Sequence, residues 1–326
     1  MVQPNELKLE LPIDVANGAV STTTNLWNIL VASYEGNTGK VKEMVGIQPE
    51  LFYAQYNYTP PIHFAVRQGH IELVAYLLKN GAYDPEYRSY PFQDNLLTIA
   101  QDREHNEIAL MLKDYSTNPD RQKFKGDNGR IHFKRNELQI EFEEAVDKND
   151  LNKTEKILKE NPEFALDETY FWGEGILMMP AKENQRELID LLMKYGAKVP
   201  SILKWTQEYY FEHNDGAEYM MAKGMSPNTM SWHHVTILHD MAQKGNIEKA
   251  ELLIRHGAEI NPVDEEYQST PLGMAARWGH IEMVNYLLKQ GADVNKAGAL
   301  WATPLAWAKR KGHLVVEKLL IKNGAK

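Results

Sequence analysis

The stretch STPLGMAARWGHIEMVNYLLKQGADVN, residues 269–295, decides the architecture. Thr270 offers a hydroxyl to cap a helix, and Pro271 brings its fixed φ to the first helical position, where no amide donor is needed. Gly279 breaks that short helix. From His280 to Gln290, Ile281, Val284, Leu287 and Leu288 recur at helical spacing and give one apolar face, and Gly291 can adopt the left-handed terminating conformation. The spacing predicts a helical hairpin followed by a turn. One residue in it is not demanded by folding: Trp278 stands where a small or charged residue would serve equally well.

The same punctuation recurs. Terminating glycines at Gly224, Gly257, Gly291 and Gly324 are spaced by 33, 34 and 33 residues. Matching copies are YTPPIHFAVRQGHIELVAYLLKNGA from Tyr58, VTILHDMAQKGNIEKAELLIRHGAEIN from Val235 and ATPLAWAKRKGHLVVEKLLIKNGA from Ala302. On these copies and this period the chain resembles the ankyrin repeat family. The resemblance implies an all-α solenoid of stacked helix-turn-helix units joined by projecting finger turns. Aligning the break between the two helices places it at Gly36, Gly69, Glu104, Asn149, Asn184, Glu212, Gly245, Gly279 and Gly312, which gives about nine repeats. Two spacings depart from the period. The 45 residues from Glu104 to Asn149 contain an insertion, and the 28 from Asn184 to Glu212 imply a shortened finger. The expected organisation is therefore an N-terminal segment with repeats one to three over 1–113, an inserted basic loop over 114–137, and repeats four to nine over 138–326, continuous with the first part.

Composition narrows the function. No apolar run approaches membrane-spanning length, and the opening MVQPNELKLELPID has neither the basic nor the apolar segment of a secretory signal, so the expectation is a cytoplasmic protein with no membrane partner. The chain has no cysteine, which removes disulfides, thiolate metal sites and cysteine nucleophiles. A net charge of −9 argues against nucleic-acid binding. The inserted segment runs the other way, with Arg121, Lys123, Lys125, Arg130, Lys134 and Arg135 only partly offset by Asp120, Asp127 and Glu137; it reads as a solvated loop, with docking of an acidic partner as the alternative. GNTGK at Gly36 is too short for a phosphate-binding loop, GEG at Gly173 lacks a third glycine, and no HExxH occurs. No metal and no cofactor are expected.

The resemblance gives His63 and His239 a structural role, bonding loop backbone between neighbouring repeats. It also places binding on the finger turns and on the two residues before each inter-helix glycine, here including Arg67 and the pair Arg277 and Trp278. An exposed aromatic beside an arginine is the composition of an interface anchor. A second cluster gathers on one half of the chain. Loss of the finger before Trp205 should uncover a pocket floored by Tyr209, Tyr210 and His213, walled by Trp172 and Glu174 on one side and by Trp232, His233 and His234 on the other, with packing of these aromatic residues in place of missing leucines as the alternative. Glu266, Tyr267 and Trp301 lie on the adjoining fingers. Two functions follow from these residues. The first is a platform that grips a protein or peptide. The second is a binding protein or enzyme for a small polar or carbohydrate-like ligand, with Glu174, His213, His233 and His234 as candidate acid and base.

Overall fold

A computed structural model describes residues 1–90, 92–126, 132–203 and 209–326. The chain forms two compact units, Gln3–Lys134 and Arg135–Lys326, the latter joined by Met1–Val2. In the first, α1 (Thr23–Tyr34) and α2 (Thr38–Ile47), α3 (Pro61–Gln68) and α4 (Ile71–Lys79), and α5 (Leu96–Asp102) and α6 (Asn106–Thr117) form successive hairpins. Short strands β1 (Pro12–Asp14), β2 (Val20–Thr22) and β3 (His132–Phe133) make an antiparallel sheet in the order β2-β1-β3. The core of this unit collects Leu73, Val74, Leu77, Ile99, Ile108 and Leu112 from the facing helices.

The second unit contains α7 (Glu137–Asp147) and α8 (Leu151–Glu160), a single turn α9 (Tyr170–Gly173), α10 (Met178–Lys182) and α11 (Arg186–Lys194), and α12 (Asn214–Ala222), which follows a 3₁₀ turn at Tyr209–Phe211. It ends with three regular hairpins, α13 (Ile237–Lys244) with α14 (Ile247–Arg255), α15 (Pro271–Trp278) with α16 (Ile281–Lys289), and α17 (Pro304–Lys311) with α18 (Leu314–Lys322). Strands β4 (Ile202–Leu203) and β5 (Met230–Ser231) pair in parallel. The fold is all-α apart from these short strands. Among the described residues no helix is long and apolar enough to cross a membrane.

Helix ends follow the sequence. Thr270 Oγ1 accepts from Gly273 N at 3.2 Å, Pro271 occupies the first turn, and Gly279 closes α15 at φ 75°. The breaks at Glu104, Asn149 and Asn184 adopt the same left-handed region, at φ 62°, 55° and 53°, without being glycine. Residues of this kind are strained there by about 1–2 kcal/mol, least for asparagine.

Stacking of neighbouring hairpins has a repeated lock. The histidine that opens the second helix donates through Nε2 to a carbonyl at the end of the preceding hairpin's first helix: His70 to Tyr34 (2.8 Å), His105 to Arg67 (3.2 Å), His280 to Gln243 (2.7 Å) and His313 to Arg277 (3.0 Å). Such carbonyls have no partner within their own helix. The imidazole also fills the space that a side chain would take at the preceding break. A Cβ on Gly279 would lie 2.6 Å from His313 Nδ1, and one on Gly69 would lie 2.8 Å from His105 Cε1. Glycine is thus required twice, for its φ and for the ring above it.

The described residues of 114–134 are folded onto the first unit, which differs from a free solvated loop, and Arg135–Glu137 belong to the second unit. Helix α6 runs on to Thr117, the Phe124 ring meets Tyr53 edge-on at 5.1 Å, and β3 extends the sheet. Arg121 pairs with Asp114 at 2.5 Å and Lys134 with Asp14 at 3.5 Å, so these two basic side chains are spent on local partners. Phe124 and Phe133 supply the apolar area that a loop would lack. Asp127 and Arg130 lie outside the described residues.

Gly279→Ala should cost more than about 2 kcal/mol, from left-handed strain plus the collision with His313. In a His313→Ala background the same substitution should cost at least about 0.5 kcal/mol less. A double-mutant cycle by chemical denaturation measures this; equal costs in both backgrounds would mean that ring and glycine do not interact.

Candidate binding surface

The residues just before the breaks of the last three hairpins are Lys244, Trp278 and Lys311, on first helices that pack side by side. Trp278 remains 38% exposed while the residue before it, Arg277, is buried. The Arg277 guanidinium sits over the Tyr267 ring at 4.3 Å, the Trp278 ring at 5.0 Å and the Trp307 ring at 5.2 Å. Trp307 is fully buried, meets Tyr267 and Trp301 edge-on at 5.8 and 5.7 Å, and donates Nε1 to Ser269 Oγ at 3.1 Å. Ser269 Oγ in turn donates a hydrogen bond to the Ala302 carbonyl at 3.1 Å. A Cβ on Gly273 would collide with that hydroxyl, which explains a glycine inside α15. Trp278 is thus the wet edge of an otherwise dry stack of cation and rings, a geometry favourable to both.

Arg67 repeats the arrangement in the other unit, fully buried with its guanidinium 5.0 Å from the Phe64 ring and 5.6 Å from the Tyr34 ring. The expectation that Arg67 and Arg277 face a partner is therefore corrected. A planar guanidinium two residues before the break stacks on neighbouring aromatic rings in preference to solvent.

The finger residues come together differently from the sequence reading. Ser231 Oγ accepts from His233 N and Val235 N, both at 3.2 Å, and turns the chain so that His234 takes φ 58°. Buried His233 then meets buried Glu266 at 2.6 Å, and half-exposed His234 meets Glu265 at 2.7 Å. Glu265 N donates to the His233 carbonyl at 2.9 Å, so two successive fingers are joined by backbone and by two imidazole-carboxylate pairs. The buried Trp232 ring lies 4.1 Å from His233. Glu174 was the expected carboxylate; Glu265 and Glu266 hold that place. Glu174 is buried, and its carbonyl accepts from Tyr210 Oη at 3.2 Å. Tyr210 is buried too, and burial drives its phenol well above the usual range. Tyr209 is half-buried beneath Lys182 at 5.4 Å, His213 is an exposed residue opening α12, and Trp301 is half-buried. Trp205 lies outside the described residues. Among the described residues no group of three or more His, Asp or Glu could hold a metal.

Trp172 is 58% exposed at the tip of a left-handed turn in which Phe171, Trp172 and Gly173 have φ of 47°, 61° and 87°. Sequence alone does not show what holds this turn. Arg135 lies 3.2 Å from Glu143, 3.8 Å from Asp167 and 4.1 Å from the Tyr170 ring, and Glu143 Oε1 accepts from Phe171 N at 2.6 Å. The glycines at 173 and 175 were the only local signal.

Comparison with known families matches a model of three ankyrin repeats over residues 207–298 and a single ankyrin repeat over 58–90. The chain carries ankyrin repeats. No curated protein matches it. Within these ankyrin repeats the motif histidines differ instructively. His239 Nε2 donates to the Ser269 carbonyl of the next finger at 3.1 Å, and its Nδ1 accepts from Thr236 N at 3.2 Å, with Thr236 Oγ1 at 2.8 Å. His63 has Pro60, not threonine, at the helix cap, and its Nδ1 instead bonds the Tyr87 hydroxyl at 2.8 Å. The loop-bridging role holds for His239, and His63 reaches the next finger through a side chain.

Burial pushes the His239 imidazole down to about 4. The unfolded chain, with an ordinary value near ~6.5, takes up the proton first, so this contribution is complete above that pH and is lost as pH falls towards 4, on the order of 3 kcal/mol. Denaturation midpoints at pH 7 and 4.5 should fall more steeply for the native chain than for His239→Gln; parallel slopes would show that His239 is not the group responsible. Arg135→Ala should cost about 2 kcal/mol by leaving Glu143 and Asp167 without their cation, and should speed proteolysis within 170–175. An unchanged cleavage rate would show that the turn holds itself.

Proposed function

We propose that this chain is a binding module that grips a protein or peptide partner through the first-helix face and finger turns of its ankyrin repeats. Ankyrin repeats generally mediate protein-protein interaction. We read about nine of them, with 114–137 as an insertion and a shortened finger ahead of α12. The observation that carries the proposal is Trp278. Its ring stays exposed although a smaller residue would serve as well at the last position of α15, and Arg277 beneath it fixes its attitude. Aromatic anchors held this way dominate interface energetics.

A second reading, a small polar ligand bound among the fingers, is supported by His234, a half-exposed imidazole oriented by Glu265. It stands second because the companion pair, His233 and Glu266, is buried and shut off from solvent. A thermal-shift screen that stabilises the native chain and not His234→Ala would reverse that order.

Trp278→Ala should lower stability by less than about 1 kcal/mol, where a buried tryptophan would cost about 3–5. A photo-crosslinker at position 278 should capture a protein from native lysate that the same crosslinker at exposed Ile47 does not. Severe unfolding of Trp278→Ala, or identical capture from both positions, would remove the residue from the interface.

A further inference from the structure

The last two repeats carry the charge opposite to the rest of the chain. Residues 269–326 contain nine Lys and Arg against three Asp and Glu, a net of +6 in a chain whose total is −9. The excess is concentrated where Trp278 lies. Helices α13, α15 and α17 together hold Lys244, Arg277, Lys309, Arg310 and Lys311 and a single acid, Asp240, which is buried and bound to Lys244 at 3.1 Å. Arg277 is buried under rings, whereas Lys244, Lys309 and Arg310 are exposed and Lys311 half-exposed. Arg310 and Lys311 lie over the Trp307 ring at 5.3 and 5.8 Å, which holds their stems against the same aromatic stack. Lys244, Trp278 and Lys311 occupy equivalent positions in three consecutive repeats, so the exposed indole is flanked by one cation on either side.

Resting on the binding-module reading, we infer that the occupant of this surface is an acidic peptide segment, with an apolar side chain seated on Trp278 between carboxylates that reach Lys244 on one side and Lys311 with Arg310 on the other. Opposite charge across a rim steers encounter and fixes register, while the central aromatic contact supplies most of the affinity. Nucleic acid fits less well. It needs phosphate contacts along a continuous basic track, and here the exposed or half-exposed cations beside Trp278 are the few of Lys244, Lys309, Arg310 and Lys311 in a chain whose net charge is −9.

The test is a selection of random peptides of about a dozen residues displayed on phage against the full chain, with affinities of the recovered peptides measured by fluorescence anisotropy. Recovered peptides should carry acidic residues on both sides of an apolar one. Their binding should weaken at least about tenfold in Trp278→Ala, about threefold or more in Lys311→Glu, and markedly between 50 and 500 mM salt, since these charges are exposed. Melting curves confirm that both variants are folded, and a second substitution, Arg310→Glu, repeats the charge test at an independent site. Neutral or basic peptides that lose binding in Trp278→Ala would overturn the acidic partner and leave the binding-module reading standing. Peptides indifferent to Trp278→Ala would overturn both at this surface. A single-stranded oligonucleotide of about twenty residues that binds more tightly than the best peptide at equal salt would overturn the inference in favour of nucleic acid.

Discussion

An imidazole lying over a glycine is the contact on which the regular part of this protein depends. Hydrophobic stripes bring helices together but leave their rotation and sliding weakly specified. The histidine that opens α4, α6, α16 and α18 removes that freedom, because it must bond one carbonyl of the hairpin before it and fit the space that a missing side chain leaves. Both conditions are short-ranged and directional, so together they set the register between hairpins. The pairs Gly36 with His70, Gly69 with His105, Gly245 with His280 and Gly279 with His313 are the same device used four times.

Where the break is Glu104, Asn149 or Asn184 the device changes. The chain keeps the left-handed backbone, now with a side chain attached, and other contacts hold the neighbours. Asn184 Nδ2 donates to Asp215 at 3.1 Å, and Arg186 reaches the same carboxylate at 2.8 Å. These are exposed polar contacts, individually weak beside a partly buried imidazole. The middle of the sequence is accordingly the part whose repeats are hardest to recognise, and for one reason: a residue pair that encodes stacking is absent there.

Much of the fold could be read from the sequence because helix capping is local. Thr270, Pro271, Gly279 and Gly291 act within one or two turns of themselves, and their positions in α15 and α16 follow directly. The break at Glu104 was recoverable from the period alone. The site was less legible, because its contacts join residues about thirty positions apart or more. His233 with Glu266, and Arg135 with Asp167, need the stacked geometry before they can be seen. Burial of Arg67 and Arg277 was hidden for a related reason. Position within a helix says which face a residue occupies, and the rings from adjoining elements decide whether a guanidinium on that face stays wet.

The carbonyl held by His313 is that of Arg277, the residue beside Trp278. The same arginine is clamped between three aromatic rings. Backbone and side chain at this point are therefore ordered by folding itself, before anything binds. An anchor on a mobile loop would lose conformational entropy on each encounter, commonly about 0.5–1.5 kcal/mol for a single side chain. On the proposed binding role of Trp278, that loss is incurred once, when the repeats stack, and a ligand would meet an indole already held in place.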